Sequence, residues 1–433
     1  MAFPAASAND TATLAVIASL PTCAIRCLLP IVASSPCALT NATCLCSNKK
    51  VQLDAASCVI KTCSVKETLN AKNITSTSCG VPIRDRRRQY VAVCNTFGVL
   101  ATLFVVQRFA YKIWADLDLG PDDWFTLATL VSGLPSTVLN VRGLMPNGIG
   151  RDIFTMTPSQ ITDFSKFFFI MEILYFFQVA ALKLALLFFY VRIFPAAPVR
   201  RLLWGTIALT SVYGLVFIVA GGLQCRPVQY FWTKWDGEHA GSCLNVNGLA
   251  WSNAVISIVL DCWMLAIPMW QLAGLNLSLK RKVGVGLMFC VGTFITVVSI
   301  LRLRSLVKFG IVTRNPTWDF FGVALWSTVE INVGIICTCM PTVRLFLVRL
   351  FPGRLGTTQL RHGQESSENK RGSKDGSLGV YDERVPSQRV WMRAKMAMSR
   401  SSAGDGYDDG GVERGLERVP DVKQARLKPS NKF

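Results

Sequence analysis

Tyr90-Val-Ala-Val-Cys-Asn-Thr-Phe-Gly-Val-Leu-Ala-Thr-Leu-Phe-Val-Val-Gln107 is the first of seven long apolar stretches that follow one another between Tyr90 and Leu347. A helix needs about 20 apolar residues to cross the hydrocarbon of a bilayer. Water is absent there, so every backbone amide must bond within its own segment, and each stretch has to be helical. The predicted spans are about 90–112, 124–141, 164–191, 202–223, 248–272, 283–306 and 320–347. A helix that is apolar all round also occurs in the core of a large soluble protein. Seven in succession at membrane length set that reading aside. The chain reads as an all-α membrane protein with a seven-helix transmembrane bundle, and the short links make consecutive helices antiparallel neighbours.

Composition agrees. Of 433 residues, 51% are hydrophobic even though the last eighty are polar, and the mean hydropathy is +0.36. The formal net charge is +19. On a soluble chain that excess would suggest nucleic acid; here the basic residues flank apolar helices, where lipid headgroups are the expected partner, and nucleic-acid binding is set aside.

Cysteine divides the chain. Eight of fifteen lie between Cys23 and Cys79: Cys23, Cys27, Cys37, Cys44, Cys46, Cys58, Cys63 and Cys79. Zinc knuckles are the competing reading, but the only histidines are His239 and His362, far outside the cluster. A dense, even set in a short segment implies disulfides and an oxidising compartment. A segment this small buries too little apolar area to fold alone, so the bridges are structural. Eight cysteines allow 105 pairings, and physics does not choose among them.

The order Leu20-Pro-Thr-Cys-Ala-Ile-Arg-Cys-Leu28, then Cys37, Cys44-Leu-Cys46, Cys58, Cys63 and Cys79, resembles the fungal CFEM domain at all eight positions. The resemblance implies a compact helical basket with pairs Cys23–Cys63, Cys27–Cys58, Cys37–Cys44 and Cys46–Cys79. Some CFEM domains bind haem through an aspartate four residues after the third cysteine. Asn41 stands there in this chain. A neutral amide is a poor iron ligand, and Asn41-Ala-Thr43 is also a glycosylation sequon, so haem is disfavoured and no cofactor is expected. Asn9-Asp-Thr11 and Asn73-Ile-Thr75 are further sequons. A secretory signal is not evident in Thr13–Leu20. Either a signal is missing or the first span exports the amino terminus, which the basic run Arg84–Arg88 resists.

Phrases in the bundle resemble the fungal rhodopsin-like seven-helix family, some members of which carry an amino-terminal CFEM domain. They are Gly120-Pro-Asp-Asp-Trp124, Lys183-Leu-Ala-Leu-Leu-Phe-Phe-Tyr-Val-Arg-Ile-Phe194, Cys225-Arg-Pro-Val-Gln-Tyr-Phe-Trp232, Asp261 to Pro268, Ser299-Ile-Leu-Arg-Leu303 and Trp326 to Glu330. The order of cysteine module, seven spans and polar tail carries more weight than any one phrase. Span seven lacks lysine, which excludes a retinal Schiff base there. The link before span three, and that span itself, lack cysteine, which excludes the bridge typical of animal receptors.

Ionisable groups inside a membrane are costly and mark candidate sites. They are Glu172 and Lys183 in span three, Asp261 in span five and Glu330 in span seven. Glu172 and Lys183 are some 16 Å apart along one helix, too far to pair. Lys183 is expected to face Asp261 or Glu330, either as packing or as a ligand or switch group. Arg302 and Arg304 near the outer end of span six suit an anionic cue or headgroup anchoring. Cys225 and Cys243 in the outer link between spans four and five are expected to bridge. No His-based triad, metal-ligand cluster or phosphate loop is present, so no enzyme is expected.

The predicted organisation is a CFEM domain at 1–80, a linker at 81–89, the bundle at 90–350 and a disordered cytoplasmic tail at 351–433. The resemblance implies a receptor-like plasma-membrane protein that senses environmental or host cues, with a heterotrimeric G protein as partner and a role in pathogenic development. Haem or iron binding, a host-interaction effector and a small-molecule transporter are the alternatives.

Overall fold

The computed structural model describes residues 15–273, 279–312 and 315–350. Asn9 and the predicted tail at 351–433 lie outside the described residues.

The described part of the amino-terminal domain is a helical cap that includes α1 (Thr22–Ala33), α2 (Ala42–Ser47), α3 (Lys49–Thr62) and α4 (Val65–Ser78). Local capping sets their starts. Asn41 accepts from the Cys44 N–H at 2.9 Å, and Asn48 accepts from Lys50 and Val51. Ser64 and Glu67 form a reciprocal capping box on α4. Leu20, Ala24 and Ala71 make the small buried core. Four disulfides staple it: Cys23–Cys63, Cys27–Cys58, Cys37–Cys44 and Cys46–Cys79, the pairing that the resemblance implies.

Beyond the cap run α5 (Arg87–Trp114), α6 (Pro121–Val138), α7 (Pro158–Ile193) and α8 (Ala197–Gly222). A hairpin follows, made of β1 (Cys225–Arg226), α9 (Tyr230–Thr233) and β2 (Ser242–Cys243), then α10 (Val246–Ala273), α11 (Leu279–Val312) and α12 (Pro316–Leu350). Six of the described helices are long and apolar enough to cross a membrane. The 34-residue α11 covers the sixth predicted span. α6 begins at Pro121 because proline fits the first helical position and Asp122 and Asp123 suit the positive end of the helix dipole. Beyond Pro135 it passes into a π-helical turn, Leu139–Leu144. Exposed Val99, Leu103, Leu134, Leu215, Trp263 and Trp270 form the apolar surface that a bilayer covers.

The cap and bundle meet at the amino-terminal end of α5. The basic run that opposes export is largely engaged there. Arg84 grips Asp152 with two nitrogens, Arg87 grips Asp85, and Arg84 and Arg86 lie 4.1 and 4.7 Å from the Trp318 ring centroid. The Arg86 N–H donates to the Gly150 carbonyl, and the Gly150 N–H donates to Thr317. Gly150 has φ +73°, and a Cβ would stand 3.1 Å from the Phe321 ring, so a side chain would strain this seam.

Candidate functional site

A cavity of about 530 Å³ opens in the cap-side half of the bundle. α5, α6, α7, α10, α11 and α12 all contribute to its wall. Aromatic rings close its cap side: Phe320 stacks edge-on against Phe164 and Phe168, and Phe168 lies parallel to Phe231 of the hairpin. The hairpin is held over this end by the Cys225–Cys243 disulfide, the antiparallel pair β1–β2, and Trp235, whose Nε1–H donates to Thr162 at 3.0 Å.

The polar groups of the wall are placed individually. Tyr90 donates to Asn140 at 2.7 Å, and Gln178 donates to Ser136 at 3.0 Å. The Asn253 side chain donates to Tyr213 at 2.9 Å, and its Oδ1 has no partner. Glu172 accepts from Gln224 at 2.9 Å and has Lys234 of the hairpin as a charged neighbour.

Arg302 and Tyr175 connect the cavity to a buried polar network. Tyr175 donates to Glu330 Oε2 at 2.8 Å, and the Arg302 guanidinium lies 4.5 Å from the Tyr175 ring centroid and 3.4 Å from Glu330 Oε2. Ser299 donates to Glu330 Oε1 at 2.6 Å and sits 3.4 Å from Asp261 Oδ2. Asp261 pairs with Lys183, whose ammonium also donates to the Ser257 carbonyl at 3.1 Å. Four helices, α7, α10, α11 and α12, are thus joined by one chain of partners. Of the two carboxylates open to Lys183 in the sequence, Asp261 takes it, and Glu330 takes Arg302. Glu172 is the predicted member that the network leaves out.

Arg302 corrects the sequence reading of a headgroup anchor: it is only 4% exposed, whereas Arg304 is exposed. Two residues on, the helix has turned by about 200°, which separates them. A second buried cluster lies at the end away from the cap, where helix packing joins residues that no sequence motif groups together. Arg108 donates to Asp123 at 2.7 Å, to Asp122 and to the Thr338 carbonyl, while Lys112 donates to Asp123. Asp123 also accepts from the Gly120 N–H at 2.8 Å. Its trace in the sequence is Arg108 and Lys112, one helical turn apart, ahead of the Asp122-Asp123 pair.

In the cap, the Asn41 side-chain oxygen is already engaged by Cys44, and the group left to iron is a neutral amide; this position does not fit a haem ligand. Asn41 is exposed, and Asn73 is half-buried within α4. Glu67 lies beside the sulfurs of Cys23 and Cys63, but those sulfurs are bonded to each other and are not thiolates.

This arrangement of cap, bundle and hairpin has relatives. The family model of the fungal rhodopsin domain matches residues 107–349, more than half of the chain. The chain belongs to the fungal rhodopsin family. The CFEM domain model matches residues 16–80. The chain is 31% identical to an SAT4 family membrane protein of Emericella nidulans over 54% of its own length and 58% of that protein's. It is 25% identical to Receptor GIN3 of Arthrobotrys oligospora over 59% of this chain and 61% of that one. It is 25% identical to the Wortmanamides biosynthesis cluster protein C of Talaromyces wortmannii over 72% and 80% of the two. No solved structure matches. This fungal rhodopsin family member is a multi-pass membrane protein with a disulfide-stapled CFEM cap.

Proposed function

We propose that the protein is a cell-surface receptor of the fungal rhodopsin type, with its cap outside the plasma membrane and its far end turned to a cytoplasmic G protein. The observation that carries this reading is the polar chain Arg302–Glu330–Ser299–Asp261–Lys183. It begins at a cavity open to a small molecule and runs inward across four helices, so a change at its upper end alters helix-to-helix contacts below. A ligand with different contacts in two helix arrangements shifts their populations by that difference. The five disulfides support an oxidising side for cap and hairpin, and the name of the Arthrobotrys relative supports a receptor.

Energy transfer between a donor on the link between α7 and α8 and tagged Gα subunits tests the reading in living cells. A change on exposure to host or surface material is expected. Unchanged transfer for every Gα subunit, from protein shown to be at the cell surface, rejects it.

A further inference from the structure

We propose that the cavity binds a lipophilic carboxylate, a long-chain acid that enters from the bilayer between α5 and α6 and sets its headgroup on Arg302. The receptor reading supplies what binding would achieve; binding itself is a separate matter.

The headgroup follows from one edge of Arg302 that makes no hydrogen bond, although its Nε lies in an ion pair with Glu330. The Nε and Nη2 edge of a guanidinium matches a carboxylate in a parallel, two-bond grip. Arg84 uses that edge on Asp152, and Arg87 uses it on Asp85. Arg302 lines the cavity at 4% exposure, and neither its Nε nor its Nη2 has a hydrogen-bond partner. Glu330 is near but is held by Tyr175 and Ser299, and its 3.4 Å approach to Nε lacks hydrogen-bond geometry. Arg108 likewise meets two carboxylates, Asp122 and Asp123, there with Lys112 as a second cation. An unpaired buried donor costs free energy that an arriving oxygen would recover.

The body of the ligand follows from the walls. Val99, Leu103, Leu134 and Val138 line the cavity and are also 58–62% exposed on the apolar flank of the bundle. They place an opening toward lipid between α5 and α6. Gly98 and Gly133 stand in the same wall, and a Cβ on either would meet nothing within 4 Å. On the cap side, the Phe164, Phe168, Phe231 and Phe320 rings and the bridged hairpin cover the alternative route. The volume of about 530 Å³ falls among ligand sites of about 300–1,000 Å³. Glu172 also lines the cavity, but its carboxylate is met by Gln224; besides Arg302, the wall holds one unpartnered acceptor, Asn253 Oδ1, which would take a donor.

Full-length protein in nanodiscs of zwitterionic lipid is titrated with the fluorescent acid cis-parinarate and competed with stearic acid, methyl stearate or stearylamine. Saturable binding is expected, with the acid outcompeting its ester by at least about tenfold. Arg302→Gln should abolish that preference and Arg302→Lys should keep part of it. Gly133→Phe should slow association while leaving the preference intact. Equal competition by acid and ester, binding no greater than that of empty nanodiscs, or stronger competition by the amine overturns the proposal. Unchanged association in Gly133→Phe overturns the lateral route. The acid–ester comparison on the unaltered protein decides the headgroup even if Arg302→Gln does not fold. Acid binding without Gα engagement would reject the receptor reading alone; Gα engagement without acid preference would reject this proposal alone.

Discussion

Lys183 on α7 and Asp261 on α10, 78 residues apart in the chain, form an ion pair in the interior of the bundle. Their side chains are 5% and 11% exposed. Removing one partner of a buried pair leaves an uncompensated charge and costs about 3–5 kcal/mol, whereas replacing both with apolar groups is often close to neutral. Lys183→Met should therefore lower the melting midpoint sharply, and Lys183→Met with Asp261→Leu should regain most of it. Buried free thiols at Cys94 and Cys339 allow a thiol-reactive dye to follow unfolding in detergent, above the constant signal of exposed Cys262. A double variant as unstable as Lys183→Met would mean that the pair is not energetically self-contained.

The Arg108, Lys112, Asp122 and Asp123 cluster is more demanding, because it joins α5 to α6 and reaches the Thr338 carbonyl on α12. Asp123 is fully buried and accepts from Arg108, Lys112 and the Gly120 amide. Asp123→Asn removes the charge while two cations remain, so a loss of about 3–5 kcal/mol is expected. Neighbouring Trp124, 59% exposed, should tolerate Ala within about 0.5 kcal/mol. Surface yield and melting of the two variants compare directly; equal behaviour would contradict the assignment.

Hydropathy made the long helices legible, and cysteine order together with family resemblance made the cap legible. Both signals are local. The polar partners were not, because periodicity places Lys183 on a helix but does not say which neighbouring helix faces it. Arg302 stayed open between an anionic cue and a headgroup anchor for the same reason: a span-end arginine can reach headgroups or turn inward, and only the position of Glu330 decides. The cavity was invisible because it depends on gaps between helices, such as the open wall beside Gly98 and Gly133, rather than on any motif.

The bridge between Cys225 and Cys243 closes a segment with sequence separation 18. Closing a loop of that size is worth about 3 kcal/mol in the chain-entropy account. Besides the bridge, Trp235 on Thr162 and Phe231 on Phe168 and Phe169 anchor this segment. Cys225→Ser with Cys243→Ser should leave the cap intact but expose Lys234 to trypsin, with faster cleavage between Trp232 and Trp235. Hydrogen exchange over 226–242 should rise in parallel. Unchanged cleavage and exchange would show that the aromatic anchors suffice.

Acid should loosen the cap and its contact with the hairpin. The Ser64 N–H, and then its hydroxyl, hold the Glu67 carboxyl below its ordinary range. Burial pushes Asp236 up, but the Glu238 N–H, His239 and Lys66 outweigh it and leave that carboxyl low as well. Arg87 depresses Asp85. For each, the folded value lies below the unfolded one of about 4, so the unfolded chain binds more protons in that window. Their stabilisation is complete above the unfolded value and declines as pH falls through the folded values. Pepsin cleavage of the cap should accelerate on going from about pH 5 toward pH 3, by more than the enzyme's own profile on an unfolded control. Glu67→Gln and Asp236→Asn should each flatten that response, because the replaced group no longer titrates. A cap whose cleavage follows the control, or whose response is unaltered by both substitutions, would place its acid sensitivity elsewhere. The disulfides impose the chain path of the cap at every pH, so the change is a loosening of helix ends and of the Lys66–Glu238 contact, not a loss of the basket.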